Sequence, residues 1–470
     1  MELSPLLSDK SILAVFIAVL LLAQASFAGS VRYTPDWESL DSRPLPAWYD
    51  QDKIGIFLHW GVFSVPSFVN AWFWYWWKGP QPHLDIVTYM KQNYRPDFTY
   101  ADFAKEFTTE FFDPYRWAEI FNASGARYVV QVTKHHEGFT SWPSKYSWNW
   151  NAGDVGPNRD LVEELSTAIR KKTNLRYGVY HSLFEWFNPL FLKDKANNFT
   201  TQDFVLSKTL PELYELVNKY KPDVVWSDGS GNTIDTYWNS KQFIAWLYND
   251  SPVKDTVVTN DRWGTNCGCK HGGFLTCGDR YNPKKKQNRK WENAMTIDRK
   301  AWTFRRNAQL SDFLTVEELL AEIIQTVSCG GNILINVGPT KEGTIAPIFE
   351  ERLRQMGSWL RVNGEAIYGT SPWTHQNDTL HPNVWYTTRK ETPGTVYALV
   401  LKWPSNLQLP LGAPTPTDST SVTLLGYNED IPWEGLLKAP GIIILPPALS
   451  VQEIPCLWAW VFKITNIKME

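Results

Sequence analysis

The pattern of apolar and polar positions divides the chain into two parts. In the first part, short apolar, β-branched runs alternate with stretches in which apolar residues recur three and four positions apart. This alternation is typical of βα units built around a parallel sheet. The candidate strands are 53–59, 128–133, 175–180, 224–227, 257–260 and 332–337, and the clearest helices between them are 160–171, 209–219 and 316–327. The first part therefore predicts an α/β barrel.

From about Trp373 the pattern changes. Pro and Thr become frequent, the helical periodicity stops, and the runs 396–403, 421–425 and 441–445 have the alternation of strands joined by turns. We expect an antiparallel β-sandwich over 373–470, after a barrel over 29–372.

The N-terminus has the features of a cleaved signal peptide over 1–28. An apolar run from Ser11 to Ala23 follows Lys10 and ends near Ser26 and Ala28, small residues of the kind that signal peptidase requires. The run is too short to span a bilayer, and no later segment is long and apolar enough. We expect a protein of the secretory pathway, extracellular or lysosomal, that is not held by a membrane after cleavage.

Composition narrows the range of partners. The formal net charge is −3, and the longest basic cluster, Lys284 to Lys290, is too short to form a nucleic-acid-binding face, so no nucleic acid is expected as a partner. The 25 Trp residues are more than packing usually requires. Because indole rings also stack on sugar rings, carbohydrate is the first candidate ligand.

Secretion gives the cysteines and some asparagines a predicted chemistry. The five Cys residues predict one or two disulfides and at least one free thiol. A zinc site is the alternative for Cys267, Cys269, His271 and Cys277, although their spacing is unlike that of a zinc knuckle. The N-glycosylation acceptors are Asn122, Asn198 and Asn377, with Asn249 the poorest because Pro252 follows it.

Polar residues stand at or just beyond the ends of the candidate strands, where barrels carry their catalytic groups. They are His59, Trp60, Lys134, His135, His136, Glu137, His181, Glu185, Asp228, Asp261, Arg262 and Asn336. No His-x-His or His-Glu-x-x-His spacing occurs, so we expect no catalytic metal. Imidazoles titrate near pH 6.5 when unperturbed, which predicts a rate that depends on pH.

The clearest local signal is VVWSDG at 224–229. An apolar strand ends in Asp228, and the glycine that follows allows the backbone to turn and a substrate to approach closely. Two interpretations remain open from this segment alone: Asp228 is a catalytic nucleophile, or it caps the next helix.

Several segments together resemble one family. They are HWGVFS at 59–64, TKHHEGF at 133–139, YHSLFEW at 180–186, VVWSDG at 224–229, NDRWG at 260–264, NVGPT at 336–340 and NGEAIY at 363–368. In this order they are similar to the animal α-L-fucosidases of glycoside hydrolase family 29, and most to the plasma-type members. The matches span nearly the whole chain after the signal peptide.

The resemblance implies a (β/α)8-like barrel with a C-terminal antiparallel β-sandwich, no cofactor, and a homo-oligomer. It implies a retaining exo-glycosidase that removes terminal α-L-fucose from fucosylated oligosaccharides and glycoproteins. Asp228 would be the nucleophile. The substrate-binding residues implied are His59, Trp60, Trp72, His135, His136, Tyr180, Trp226 and Arg262.

Retention requires a second carboxyl group about 5 to 5.5 Å from the nucleophile, which donates a proton to the leaving oxygen and later activates water. It must stay protonated while Asp228 is ionised, which burial or a neighbouring negative charge would favour. The resemblance leaves two candidates, Asp279 and Glu292. Asp279 is preferred as the acid/base residue, and Glu292 remains the alternative.

The chain departs from the family pattern at two places. Members usually have Ser-Glu-Trp where this sequence has Asn70-Ala71-Trp72, so a carboxylate that would contact sugar hydroxyls is missing. A charged hydrogen bond contributes about 1.5 to 3 kcal/mol. The alternative function is therefore a catalytically weak or inactive fucose-binding relative. The second departure, at 302–306, predicts an altered pocket wall.

Overall fold

A computed structural model describes residues 31–437 and 440–468. The predicted signal peptide lies outside the described residues. Within the described ranges, no helix has the length and apolar character needed to cross a membrane.

The first part of the structure is built on a sheet of seven parallel strands in the order β5-β4-β3-β2-β1-β7-β6. Their bounds are β1 Ile54–Leu58, β2 Tyr128–Lys134, β3 Arg176–Ser182, β4 Val224–Asp228, β5 Val258–Thr259, β6 Glu292–Thr296 and β7 Asn332–Val337. All six neighbouring pairs are parallel. Six of the strands were predicted. β6 was not, because its sequence ENAMT mixes polar and small residues and lacks the β-branched run that marks the other strands.

A short segment joins the two edge strands of this sheet. The amide of Phe274 donates to Thr259 of β5 at 3.1 Å, and the amide of Leu275 donates to Lys290 at 2.9 Å. Glu292, at the start of β6, returns a bond from its amide to Leu275 at 2.8 Å. Because the segment bonds both edges, the seven strands close into the predicted barrel, with residues 274–275 in the eighth position.

The helices surround this sheet. They are α1 Trp37–Asp41, α2 Ala47–Asp52, α3 Phe73–Lys78, α4 Leu84–Asn93, α5 Tyr100–Glu106, α6 Pro114–Ala123, α7 Leu161–Lys172, α8 Pro189–Ala196, α9 Leu210–Tyr220, α10 Asp235–Trp238, α11 Ser240–Asn249, α12 Val316–Ser328 and α13 Pro347–Asn363. The start of α7 shows why the helices begin where they do: the side chain of Asp160 accepts a bond from the amide of Glu163, which satisfies a free donor at the helix N-terminus.

Alternation along the strands decides which side chains point into the barrel. Phe57, Tyr180 and Trp226 belong to a compact core inside the ring. Their neighbours Leu58 and Val179 belong to the larger core between the sheet and the helices. Because successive strand residues face opposite sides, every second residue at the carboxyl end of a strand points toward the barrel axis.

The C-terminal part contains two antiparallel sheets, as predicted. The strands are β8 Ser371–Asn377, β9 Val384–Thr388, β10 Val396–Val400, β11 Leu409–Leu411, β12 Ser421–Leu424, β13 Trp433–Gly435, β14 Ile442–Ile444 and β15 Trp460–Thr465. Five form one sheet, β12-β15-β10-β9-β8, and three form the other, β11-β14-β13. Apolar residues of both sheets, among them Phe462 and Ile444, share one buried core. The sandwich packs against α13, where the indole of Trp359 donates to Ala459 at 2.8 Å.

Candidate active site

A cavity of about 880 Å³ opens at the carboxyl ends of the strands. Nine of the residues predicted to act in the site line it: His59, Trp72, His135, His136, Tyr180, Trp226, Asp228, Arg262 and Asp279. Two predicted residues, Trp60 and Glu292, lie elsewhere. The strand ends therefore bring together most of the chemistry that the sequence indicated.

Asp228 is held as an anion at the wall of this cavity. Its Oδ2 accepts from the hydroxyl of Tyr180 at 2.7 Å, and its Oδ1 accepts from Arg262 at 3.1 Å. Burial alone would raise the pKa of Asp228, but Arg262, the Tyr180 hydroxyl and the amide of Gly229 together hold it well below its usual value. The next helix begins at Asp235 with Ile234 at its N-cap, so Asp228 does not cap it.

Arg262 connects the two carboxylates of the cavity. Its terminal guanidinium nitrogen Nη1 donates to Asp228, and its other terminal nitrogen Nη2 donates to Asp279 at 2.7 Å. The same group lies over the ring of Trp226, 4.6 Å from its centroid, which is a cation–π arrangement. Burial would lower the pKa of Arg262, but the two carboxylates raise it overall, so the guanidinium stays charged.

A disulfide and a buried carboxylate fix the loop that carries Asp279. Cys269 and Cys277 form a disulfide. Asp261 accepts hydrogen bonds from the amides of Cys269 at 2.7 Å, Thr276 at 3.0 Å and Cys277 at 3.1 Å. The zinc alternative is wrong, because the disulfide takes two of the four proposed ligands.

Two histidines of the cavity have a defined tautomer. Nδ1 of His59 donates to Asn336 Oδ1 at 2.7 Å. The orientation of the Asn336 amide is fixed because its NH2 group donates to the carbonyl of Trp302. Nδ1 of His136 donates to Ser182 Oγ at 2.7 Å, since that hydroxyl donates to Phe184. In both rings Nε2 keeps its lone pair and can accept from a sugar hydroxyl. Nε2 of His136 lies 3.6 Å from Asp228 Oδ2.

Both rings are neutral at ordinary pH. Burial, and to a lesser extent His135, lowers the pKa of His59 to about 3. The same causes, in the same order, lower the pKa of His136 well below its usual value. Burial therefore disfavours the charged form of these two rings, and a rate that depends on histidine ionisation stays a prediction.

His135 faces a buried carboxylate. Its Nδ1 lies 3.4 Å from Glu137 Oε2. Within the described residues neither atom has a hydrogen-bond partner, and both side chains are almost fully buried. A small movement would make His135 a donor to Glu137, and Nε2 of His135 would then be an acceptor like that of its two neighbours.

Other polar residues at the strand ends point away from the cavity. Trp60 follows His59 and therefore faces outward, where its indole donates to Thr340 and its ring packs on Trp117. His181 and Lys134 also face outward and contact Glu212 of α9, at 3.0 and 2.7 Å. They form a buried cluster that also contains Glu185 and Lys208. This cluster joins β2 and β3 to α9 and does not reach the cavity.

Glu292 is buried beneath the cavity. It is the first residue of β6, and its carboxylate accepts from the hydroxyls of Tyr49 at 2.8 Å and Tyr128 at 2.7 Å and from the indole of Trp226 at 2.9 Å. Burial raises the pKa of Glu292, and the three donors act against that rise. Since the carboxyl ends of the strands form the cavity, a residue at the amino end of β6 lies on the far side of Trp226.

Comparison with known proteins identifies the family and the fold. The family model for alpha-L-fucosidase matches residues 20–365, and the model for the alpha-L-fucosidase C-terminal domain matches residues 376–465. The chain is 57% identical to the alpha-L-fucosidase of Branchiostoma floridae over 96% of this chain and 99% of the relative. It is also 57% identical to the plasma alpha-L-fucosidase of Homo sapiens over 93% of each. The crystal structure of Thermotoga maritima alpha-fucosidase with a mechanism-based inhibitor matches with a TM-score of 0.78 and 30% identity, over 92% of this chain and 100% of that one.

The chain belongs to the α-L-fucosidase family. The family, the enzyme class and the architecture expected from the sequence are thereby confirmed.

Some cavity residues of this α-L-fucosidase family member were not predicted. Trp302 follows the unpredicted strand β6 and lies against His59, with ring centroids 5.1 Å apart. Trp76 lines the cavity from α3, one turn after Trp72. The aromatic run at 72–77 was the available signal for Trp76. For Trp302 the signal was the departure noted at 302–306.

The predicted glycosylation acceptors fall into two groups. Asn122 and Asn198 are exposed. The amide of Asn377 donates to the carbonyls of Pro382 and Val384, and that of Asn249 donates to Tyr33. An attached glycan would disturb the last two pairings, so we expect the first two sites to be used.

Proposed function

We propose that this chain hydrolyses terminal α-L-fucosides with retention of configuration, with Asp228 as nucleophile and Asp279 as acid/base residue. The observation that carries the proposal is Arg262, whose single guanidinium group bonds both carboxylates and so holds them on one wall of the cavity. A retaining glycosidase requires two carboxyl groups that flank the scissile bond about 5 to 5.5 Å apart.

In the first step a carboxylate oxygen of Asp228 attacks C1 of fucose, while Asp279 gives its proton to the glycosidic oxygen as the C1–O bond breaks. In the second step Asp279 takes a proton from water, which attacks C1 and releases Asp228. Tyr180 and Arg262 favour the ionised form of Asp228 before attack. The Nε2 acceptors of His59 and His136 would receive hydrogen bonds from sugar hydroxyls.

The positions of the two acid/base candidates support Asp279. Its side chain is 49% exposed at the cavity, so a leaving sugar can reach it. Glu292 already accepts three hydrogen bonds beneath Trp226, and its carboxyl group lies outside the cavity lining.

Fucosylated oligosaccharides and glycoproteins are the proposed substrates, in the secretory pathway, outside the cell or in lysosomes. The support is the predicted signal peptide together with relatives named plasma and tissue alpha-L-fucosidases. A homo-oligomer remains a prediction from the family resemblance.

A fucose-binding protein with little turnover is the second candidate, and Ala71 is its support. Ala71 lies in the cavity wall with its side chain buried, where it offers no hydrogen-bonding group to the sugar. The first candidate requires hydrolysis of an aryl α-L-fucoside above the Asp228→Ala background, whereas the second requires fucose binding without that hydrolysis. If the Ala71→Glu variant alone turned over substrate, the binding candidate would be correct.

Azide distinguishes the carboxyl roles. In a retaining mechanism, azide attacks the substrate of a nucleophile-deficient variant and gives the inverted glycosyl azide, but it attacks the glycosyl enzyme of an acid/base-deficient variant and gives the retained one. We expect β-L-fucosyl azide from Asp228→Ala and α-L-fucosyl azide from Asp279→Ala. Glu292→Ala should give neither product. If α-L-fucosyl azide came from Glu292→Ala and none from Asp279→Ala, the two assignments would be reversed.

A further inference from the structure

The cavity is much larger than one fucose ring and its outer part is rich in glycine. Five glycines line it: Gly229, Gly231, Gly264, Gly268 and Gly278. At two of them, neighbouring atoms leave no room for a side chain. A Cβ on Gly229 would lie 2.3 Å from the ring of Phe184, and one on Gly264 would lie 2.3 Å from the amide of Asp235. Any side chain at these two positions would displace its neighbours.

At the other three cavity glycines, neither packing nor backbone conformation requires glycine. A Cβ on Gly231, Gly268 or Gly278 would meet no atom within 4 Å, and none of the three has the positive φ that favours glycine. Among all glycines of the described residues, only one more, Gly435, could carry a Cβ that meets no atom within 4 Å. Three of these four unconstrained glycines thus border a single cavity, which points to a requirement for empty space there.

Flexibility is the competing explanation for glycine, and for Gly268 and Gly278 the structure of their loop argues against it. Gly268 and Gly278 directly precede and follow the two half-cystines of the Cys269–Cys277 disulfide. Asp261 further fixes this loop by accepting three backbone hydrogen bonds. A loop held in this way gains little mobility from glycine.

The polar groups beside these glycines define the chemistry of the occupant. Ser230, Asn232 and Thr265 also line the cavity, and within the described residues no hydrogen bond is formed by their side chains. Hydroxyl and amide groups that are partly exposed and unused can bond a polyhydroxylated ligand. Asp279, the proposed proton donor to the leaving oxygen, follows Gly278 directly, so the leaving sugar must pass through this region.

We infer that Gly231, Gly268 and Gly278 form the subsite for the leaving sugar, and that their missing side chains make room for a pyranose ring attached to fucose. This inference rests on the proposed function. It identifies the three glycines as specificity-determining residues, which act on the size of the leaving group and not on the chemistry at C1. A methyl group at any of them would enter the volume that the second ring occupies.

The test compares two substrates that share fucose and differ in the leaving group. α-L-Fucosyl fluoride loses a single atom, whereas α-L-fucosyl-(1→2)-D-galactose loses a whole ring. We expect Gly231→Ala, Gly268→Ala and Gly278→Ala to lower kcat/KM for the disaccharide about tenfold and to leave that for the fluoride within about twofold of wild type. Gly435→Ala, an unconstrained glycine in the C-terminal sandwich, is the matched control and should change neither.

Equal losses on both substrates would overturn the inference in favour of loop mobility, and unchanged rates on both would overturn it by showing that the space is not used. Failure of the proposed function has a different signature, since the wild-type chain would then hydrolyse neither substrate. Binding of the disaccharide to Asp228→Asn gives a readout that does not need turnover. Each alanine should weaken that binding, while affinity for free fucose stays the same.

Discussion

Replacement of Arg262 by glutamine would remove the cation that contacts both carboxylates of the cavity. The guanidinium nitrogen lies 3.1 Å from Asp228 Oδ1. At an effective dielectric constant of about 20, two unit charges at that distance attract by about 5 kcal/mol. One pH unit corresponds to about 1.4 kcal/mol, so full loss of this attraction would displace the ionisation of Asp228 by up to about four pH units.

The direction follows from what remains around Asp228. Burial raises its pKa, and without Arg262 only the Tyr180 hydroxyl and the amide of Gly229 oppose that effect. If Asp228 is the nucleophile, as proposed, it must be ionised, so activity is lost as pH falls through its pKa. Because the variant raises that pKa, the acid limb of kcat/KM should move to higher pH, by about one to three units once solvent screening and the remaining donors are allowed for.

The assay is the pH profile of kcat/KM on an aryl α-L-fucoside, since this quantity reports ionisations of the free enzyme. Arg280→Gln is the matched control, because it removes one positive charge from the same cavity without a contact to Asp228. Arg262→Lys keeps the charge but loses the two-pronged geometry, so it should lower the rate and move the acid limb less. The reasoning is refuted if Arg280→Gln moves the limb as far as Arg262→Gln, or if neither moves it.

Three further predictions concern stability and modification. Glu292→Leu leaves three buried donors without a partner, at about 1 to 3 kcal/mol each, and should lower the thermal midpoint clearly, unlike the exposed control Glu317→Leu. His59 binds a proton near pH 6.5 when unfolded but only near pH 3 when folded, so its lowered pKa destabilises the fold by about 2 kcal/mol between pH 7.5 and 5. Denaturant unfolding of wild type and His59→Gln at these two pH values should show that difference, and a constant gap would contradict it. Glycopeptide mass spectrometry of the secreted protein should find glycans at Asn122 and Asn198, and full occupancy of the two hydrogen-bonded acceptors instead would contradict the structural argument.

The sequence predicted residues of the site best where a strand was recognisable. His59, Tyr180 and Asp228 stand at the ends of apolar runs, and a parallel barrel brings such ends together whatever the details of packing. Trp60 shows the limit of that reasoning. It stands beside His59, and here the two-residue alternation of β1 continues past the end of the strand, so His59 lines the cavity and Trp60 faces outward. The adjacent His135 and His136, by contrast, both line it.

The acid/base assignment stayed open because β6 was not recognised. Without the bounds of that strand, Asp279 and Glu292 were two carboxylates in one irregular stretch. The structure starts β6 at Glu292, which places this residue at the amino end, whereas Asp279 lies in the loop held by the disulfide. The local sequence of β6 has weak β-propensity and did not reveal the strand. β6 is stabilised instead by pairing with β7 and by the hydrogen bonds of Glu292 to Tyr49, Tyr128 and Trp226.

Burial of His59 and His136 keeps their rings neutral, so their ability to accept hydrogen bonds should not change with pH. Because desolvation keeps His59 and His136 neutral, the proposed function would leave their Nε2 atoms as acceptors for sugar hydroxyls at both acidic and neutral pH. A protonated imidazole would lose its acceptor and would also compete with Arg262 for Asp228. Changes of rate with pH should therefore not come from these two rings, and the KM for a neutral fucoside should stay nearly constant. A KM that rose steeply below pH 6.5 would show that one of these rings gains a proton.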